Sequence, residues 1–598
     1  MYQTFKATTR PGDGPPRLEQ LRAQMAAEGL DGFLVPRADR FQGEYVAPAD
    51  ERLAWLTGFT GSAGFAAVLA DIAGVFIDGR YRVQVKSQTD TKVFTPVPWP
   101  DTSLETWLID ALPLGGVVGF DPWLHTVAEV QRLEKALGPR QIALRPVANL
   151  VDAIWQDRPA PPMGKVTRWP DALAGSSATA KLSVIAAALA DAGHDAALIT
   201  QPDSLCWLLN LRGADVRHTP LVHAMGVVRR SGALDLFVES DKLGDVALPK
   251  AVTVLAPDAL EAVLASEEGR IRIDPATAPF AAMDALSAGP SRVVEGPDPC
   301  LMPKALKHPA EIAATRAAHL RDGVAMVRFL HWFDTKAPQG SLTEIDCVRA
   351  LEGFRAETGA LREISFDTIA GAGPNGAIVH YRVTEDTNAP VRPGQLFLID
   401  SGGQYEDGTT DITRTLPVGA VGDEERIAFT QVLRGMIAIH LARWPRGRTG
   451  AHLDALARAP LWQAGRDYDH GTGHGVGVFL GVHEGPQRLS PISTVPLEPG
   501  MILSNEPGYY REGAFGIRIE NLVVVAEAGP IPGDDARNLL CFDTLTYAPI
   551  DTRLIMADML SGAERDWLNG YHGEVLALLG PELDSDTAAW LTRACAPI

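Results

Sequence analysis

Cysteine is scarce: 598 residues carry five, Cys206, Cys300, Cys347, Cys541 and Cys595, far apart and with no Cys-x-x-Cys. An odd, scattered set excludes a disulfide frame and a thiolate zinc site, and it fits the reduced core thiols of a cytoplasmic protein. Long apolar runs are missing too. None approaches the roughly 18 residues that cross a bilayer. The opening stretch, Met1 to Lys6 and then the polar Pro11 to Pro16, lacks the apolar centre of a secretory signal. Positive charge is also short, with 54 Lys and Arg against 74 Asp and Glu, a net charge of -20. A nucleic-acid-binding body or a protein docked on an anionic membrane needs the opposite balance, so neither partner is expected. What is present is a folded, globular composition, 46% hydrophobic and 21% charged, in a chain about four times a typical domain. The acidic surplus suits a protein that gathers cations.

Two stretches resemble each other. Residues 17–35 read as an amphipathic helix (Leu18, Leu21, Met25) ending near Gly29, then the strand Phe33-Leu34-Val35 and a loop with Asp39. Residues 181–203 repeat the order with Leu182, Ile185, Leu189, Gly193, the strand Ala197-Leu198-Ile199 and Asp203; both Gly29 to Gly193 and Asp39 to Asp203 span 164 positions. Trp55-Leu56-Thr57-Gly58 has a looser echo in Trp207-Leu208-Leu209-Asn210. A repeat this long predicts two copies of an α/β domain. Pro-rich breaks at Pro159 to Gly164 and at Gly296 to Pro303 divide the chain. The division is 1–160 and 161–303 for the two copies, 304–540 for a third domain and 541–598 for an extension. The third domain opens on a long helix from Ala310 to Asp334, with Glu311 and Arg316 on its exposed side. From about residue 363 it turns to short apolar strands and Gly-rich turns, interrupted by helices near 423–443 and 451–464. The extension, with Trp567, Tyr571, Leu576 and Trp590, reads as a helical tail whose apolar residues need a cover, a second subunit among the options.

Chemistry concentrates in the third domain. The apolar strand Gln395 to Ile399 runs into Asp400, and Thr410 to Leu416 alternates like its neighbour, so a hairpin with a wide loop is expected. Centred between Tyr405 and Glu406, it sets Asp400 directly opposite Asp411. Carboxylates paired across strands lie about 5 Å apart, and one must hold a proton unless a cation sits between them. On this segment alone, Asp400 starting a turn and Asp411 facing water remains an equal reading. Asp469-His470-Gly471-Thr472-Gly473-His474-Gly475-Val476-Gly477, then His483-Glu484, puts three of fourteen histidines in one short stretch whose glycines permit close backbone approach. Its register does not match a nucleotide-binding glycine loop. Another apolar strand ends at Asn505-Glu506-Pro507. In Gly516 to Val525, alternation sets Arg518 and Glu520 on one face and Ile517 and Ile519 on the other. An exposed Arg518–Glu520 ion pair is the plain alternative there. Together, two Asp, two Glu and one His make a hard, oxygen-rich ligand set. Its charge of about -4 is balanced by two divalent cations.

In the order Asp400, Asp411, His474, Glu506, Glu520, this set resembles the five-ligand pattern of the pita-bread metallopeptidases, which include methionine aminopeptidase, prolidase and aminopeptidase P. Ile378-Val379-His380-Tyr381, Val482-His483-Glu484-Gly485-Pro486 and Asn505-Glu506-Pro507-Gly508-Tyr509-Tyr510 are most similar to the aminopeptidase P branch. Glu44-Tyr45-Val46-Ala47-Pro48, Gly58 to Gly64 and Asp78-Gly79-Arg80-Tyr81 are similar to the first domain of its long, three-domain, cytosolic form. The resemblance implies two creatinase-like α/β domains, an α+β pita-bread catalytic domain and a helical tail. It implies an Xaa-Pro aminopeptidase with two divalent ions, Mn2+ foremost and Zn2+ or Co2+ as options, acting as a cytoplasmic homodimer on peptides with proline second. It makes Asp400, Asp411, His474, Glu506 and Glu520 metal ligands, with Asp411 and Glu520 bridging and Glu506 also moving a proton. His380 and His483 are then catalytic and substrate-binding, and His470 and Arg518 substrate-binding. A prolidase and a non-catalytic peptide-binding protein of the same fold are the alternatives. A serine hydrolase at Gly61-Ser62-Ala63-Gly64 fails, because Thr60 stands where a nucleophile elbow needs glycine.

Overall fold

The computed structural model describes residues 1–533, 535 and 537–598. The chain folds as two compact units, one of residues 8–171 and 176–304, the other of residues 1–7, 172–175 and 305–598.

The first unit holds two six-stranded sheets of one topology. Strands β1 (Gly32–Pro36), β2 (Phe65–Leu69), β3 (Ala73–Ile77), β4 (Thr95–Pro98), β5 (Gly116–Phe120) and β6 (Ile142–Pro146) lie in the order β4-β3-β2-β1-β5-β6. Strands β7 (Ala196–Ile199), β8 (Met225–Arg229), β9 (Leu234–Phe237), β10 (Val252–Leu255), β11 (Arg270–Ile273) and β12 (Arg292–Glu295) lie in the order β10-β9-β8-β7-β11-β12. The first strand of each copy is antiparallel to the second and parallel to the fifth. Alternate residues of β1 feed different cores, Phe33 and Val35 on one face and Leu34 on the other. A sheet covered on both sides therefore reads as an unbroken apolar run in the sequence. The predicted repeat is visible in detail. Helices Gly14–Ala27 and Ala178–Asp191 each give way two residues on to a left-handed glycine, Gly29 at φ 62° and Gly193 at φ 68°. Asn210 caps its helix in the same left-handed conformation that Gly58 takes in the first copy. The two copies join through backbone bonds, Val127 N to Ala278 O at 3.0 Å and Phe280 N to His125 O at 2.9 Å.

The second unit opens on the helix Pro309–Lys336. Here one expectation is corrected: Glu311 is buried, because its carboxylate turns back to accept the backbone N–H of His308 in a capping box. Antiparallel strands Ile369–Ala372, Leu396–Ser401 and Ile412–Pro417 form one sheet, and Ile502–Asn505, Asn521–Glu527 and Leu539–Thr544 belong to another. Helices Asp423–Leu441 and Gly450–Trp462 pack on each other. The tail helices Gly562–Leu579 and Ser585–Ala594 bury Leu568, Tyr571, Val575, Leu579 and Leu591 in one cluster with Val432, Met436, Ile517 and Ile519. Each such side chain contributes about 1.5–3 kcal/mol on burial. The cover for the tail's apolar face is thus the chain's own third domain.

Candidate metal centre

Each acidic candidate stands where an apolar strand begins or ends. Asp400 is the penultimate residue of Leu396–Ser401, and Asp411 precedes Ile412–Pro417. The register differs from the expected one: Asp400 pairs with Thr413, and the turn is a tight one at Glu406-Asp407. The hairpin is therefore displaced by two positions, and two residues are one full pleat, so Asp400 and Asp411 become diagonal neighbours while keeping the same face. Glu506 follows Ile502–Asn505, and Glu520 lies between Phe515–Arg518 and Asn521–Glu527. Ile517 and Ile519 enter the core, leaving Arg518 and Glu520 on the other face, both almost fully buried.

His474 sits on the short strand Gly473–His474. A Cβ at Gly473 would strike the Ser504 carbonyl and one at Gly475 the Glu484 carbonyl, so this approach needs glycine at both positions. Nδ1 of His474 faces the Gly475 carbonyl at 3.0 Å, an acceptor only, so Nδ1 carries the hydrogen and Nε2 presents its lone pair to the site. That Nε2 is 3.3 Å from Glu506 Oε1 and 3.6 Å from Asp411 Oδ2. Ligand atoms of Asp411, His474 and Glu520 all lie within 4.8 Å of one another. One oxygen each of Asp400, Asp411 and Glu520 is buried without a hydrogen-bond partner.

The electrostatics match this crowding. Burial pushes the Asp411 carboxyl well above the usual range, and the charges of Glu520 and Asp400 add to it. Glu520 is raised in the same way, by burial and then by Glu506 and Asp400. Burial also raises Asp400, against the pull of Arg518. Glu506 moves the other way, to about 2: when His474 carries a second proton on Nε2, its hydrogen bond and charge outweigh the rise that burial would cause, and a cation held at that lone pair would take the proton's place. Three buried acidic groups that resist ionisation, with unpartnered oxygens and an imidazole lone pair aimed among them, are the donor set of a divalent-cation site.

The neighbouring groups are placed as follows. Arg518 donates to Asp400 Oδ2 at 2.5 Å, to the Tyr510 hydroxyl at 2.6 Å, to Thr413 Oγ1 at 3.2 Å and to the Val379 carbonyl at 3.4 Å. His470 Nδ1 faces the Gly471 carbonyl at 2.8 Å, and its Nε2 is 2.9 Å from the Tyr510 hydroxyl. Burial lowers the His470 pKa to about 4, so its ring is neutral. The exposed His483 ring stands edge-on to His474 with centroids 4.2 Å apart. His380 is half-buried, next in sequence to Val379.

Several supporting residues escaped the sequence reading. Thr413 Oγ1 donates to Glu520 Oε2 at 2.7 Å, and Ser504 Oγ donates to Glu506 Oε1 at 3.1 Å while accepting from His474 N. Buried Glu344 accepts from the Tyr381 hydroxyl and from Asn375 at 2.9 Å each, tying down the loop that carries His380. Buried Lys307 pairs with Glu484, the residue after His483. Thr413 and Ser504 share a face with a ligand two positions away, a signal that alternation carries. Glu344 and Lys307 leave no such signal.

Residues 313–527 match the family model for metallopeptidase family M24, and 538–598 that for the C-terminal region of peptidase M24. Residues 17–154 and 157–311 match two versions of the creatinase/prolidase N-terminal domain. The chain belongs to metallopeptidase family M24. Among individual proteins, it is 38% identical over 621 residues to "Probable Xaa-Pro aminopeptidase P" of Laccaria bicolor, covering 100% of this chain and 96% of that one. It is 35% identical over 640 residues to aminopeptidase P1 of Arabidopsis thaliana, with 97% and 99% covered. Among solved structures, X-prolyl aminopeptidase from Caenorhabditis elegans, described as a cytosolic enzyme with a di-nuclear active site, superposes with a TM-score of 0.92 at 32% identity. That match covers 98% of this chain and 99% of the other. Among the described residues, no helix is long and apolar enough to cross a membrane.

Proposed function

We propose that the chain is a metal-dependent aminopeptidase that removes the first residue from peptides with proline in second position. The observation that carries this is the cluster of unpartnered buried oxygens on Asp400, Asp411 and Glu520 beside His474 Nε2, in a chain similar along its length to Xaa-Pro aminopeptidases. Asp400, Asp411, His474, Glu506 and Glu520 would hold two divalent ions. The oxygen-rich set favours Mn2+ over softer-liganded metals. When bound, the ions supply positive charge that polarises a carbonyl and acidifies water.

The chain's own groups do the rest. Glu506 is ionised at neutral pH and would take up a proton at its carboxylate, whose Oε1 accepts from Ser504 Oγ at 3.1 Å. His380 and His483 donate to the substrate around the scissile bond and to the developing oxyanion. Neutral His470 borders the proline side. Arg518 backs the site, buried and with its donors directed to Asp400, Tyr510 and Thr413 and not, as the resemblance implies, to the substrate. An X–Pro bond has no N–H, so a site that reads the carbonyl and the free amino terminus handles it where extended-strand recognition fails. Domain limits at 160, 303 and 540, a cytoplasmic location and a homodimer complete the reading. The Pro-rich breaks support the first two limits. The family resemblance supports the location and the dimer.

The test pairs elemental analysis of the purified protein with an Arg-Pro-Pro-type peptide assay before and after chelation. Two ions per chain and chelator-sensitive release of the first residue are expected. Metal-independent turnover, or cleavage of Xaa-Pro dipeptides alone, would refute the reading.

A further inference from the structure

Arg414 lies in the strand Ile412–Pro417, next in sequence to Thr413, and it is 1% exposed. A guanidinium so buried is costly unless every N–H finds an acceptor. Here each does, and no acceptor is a carboxylate. Nη1 donates to the carbonyls of Thr413 at 2.9 Å and Glu520 at 2.6 Å. Nη2 donates to Asn521 Oδ1 at 2.9 Å, the Ala548 carbonyl at 2.8 Å and the Tyr571 hydroxyl at 3.1 Å, and Nε to the Pro549 carbonyl at 3.0 Å. The acceptors on Ala548, Pro549 and Tyr571 belong to the C-terminal extension. The others adjoin Glu520, whose carboxylate accepts from Thr413 Oγ1 at 2.7 Å and whose N–H reaches the Thr413 carbonyl at 3.2 Å. Tyr571 is fixed in turn, stacked on Trp567 at 5.3 Å and 5° and on Tyr547 at 6.1 Å and 13°.

We propose that Arg414 is a positioning residue through which the C-terminal extension holds Glu520 in ligand geometry, making Tyr571 part of the frame of the metal centre. This rests on the metal-site reading above. A fixed peptide at 520–521 restricts where the Glu520 carboxylate can swing, which is how groups behind a ligand raise metal affinity.

The test uses the full-length, chelator-stripped protein titrated with Mn2+ by calorimetry, in wild type, Arg414→Gln and Tyr571→Phe, alongside thermal unfolding of each metal-free protein. Two sites are expected in wild type. In both variants Mn2+ binding weakens by roughly 10-fold or more, and Tyr571→Phe, whose hydroxyl also bonds the N–H and carbonyl of Ala548, stays folded with a lower metal-free midpoint. Should Arg414→Gln fail to fold, Tyr571→Phe decides. Wild-type Mn2+ affinities in Tyr571→Phe, with or without a lower midpoint, overturn the proposal and leave the metal site standing. A wild type that takes up no Mn2+ overturns the metal-site reading and this inference with it.

Discussion

Arg518 donates to Asp400 Oδ2 at 2.5 Å, and both side chains are buried. Removing one partner of such a pair strands the other charge and costs about 3–5 kcal/mol. Arg518→Lys keeps the charge but loses the fork that also serves Tyr510 and Val379. Metal affinity should fall roughly 10- to 100-fold, with lower kcat. A higher KM at unchanged metal content would instead make Arg518 a substrate-binding residue.

Asp411→Ala should abolish turnover and metal content together, since Asp411 shares its site with His474 and Glu520. Metal analysis and peptide cleavage on one preparation check this. Retained cleavage of Xaa-Pro peptides would end the two-ion reading.

His380→Ala should lower kcat by roughly 100-fold, the usual cost of losing an oxyanion donor, with metal content near normal. Loss of metal there would reassign His380 as a ligand.

Asp39, 1% exposed, accepts from the backbone N–H of Phe41 and Gly43 and lies 3.5 Å from His223 Nε2. Burial, and then the charge of Asp50, raise its pKa from 3.8 to about 7. A raised carboxyl gives stability that is complete below the unfolded pKa and lost as pH rises through the folded one. Wild type should thus lose about 2–3 kcal/mol between pH 5 and pH 8 from this group. Asp39→Asn keeps an acceptor for both N–H groups and should flatten that decline in urea unfolding. An unchanged pH slope would place the titration elsewhere.

Much of the architecture was legible because the signals were local. The helix, left-handed glycine and strand at 14–36 recur at 178–199, and each acidic candidate interrupts an apolar run. The hairpin register was not legible, because Gly402-Gly403 and Asp407-Gly408 are equally good turn formers and only pairing chooses between them. Glu311 reads as a surface residue since nothing in its spacing reveals that it caps its own helix. The tail's cover was hidden for a different reason: which surface meets Leu568 and Tyr571 is a long-range matter, as are the carbonyls that receive Arg414.

The pairing of Asp400 with Thr413 also limits how this hairpin can change length. Losing or gaining one residue within the paired positions on either side of the turn would face Asp411 to the opposite side of the ribbon, whereas a residue added at Glu406-Asp407 only lengthens the loop and leaves the pairing as it is. Natural length variation in this segment should accordingly collect at the turn.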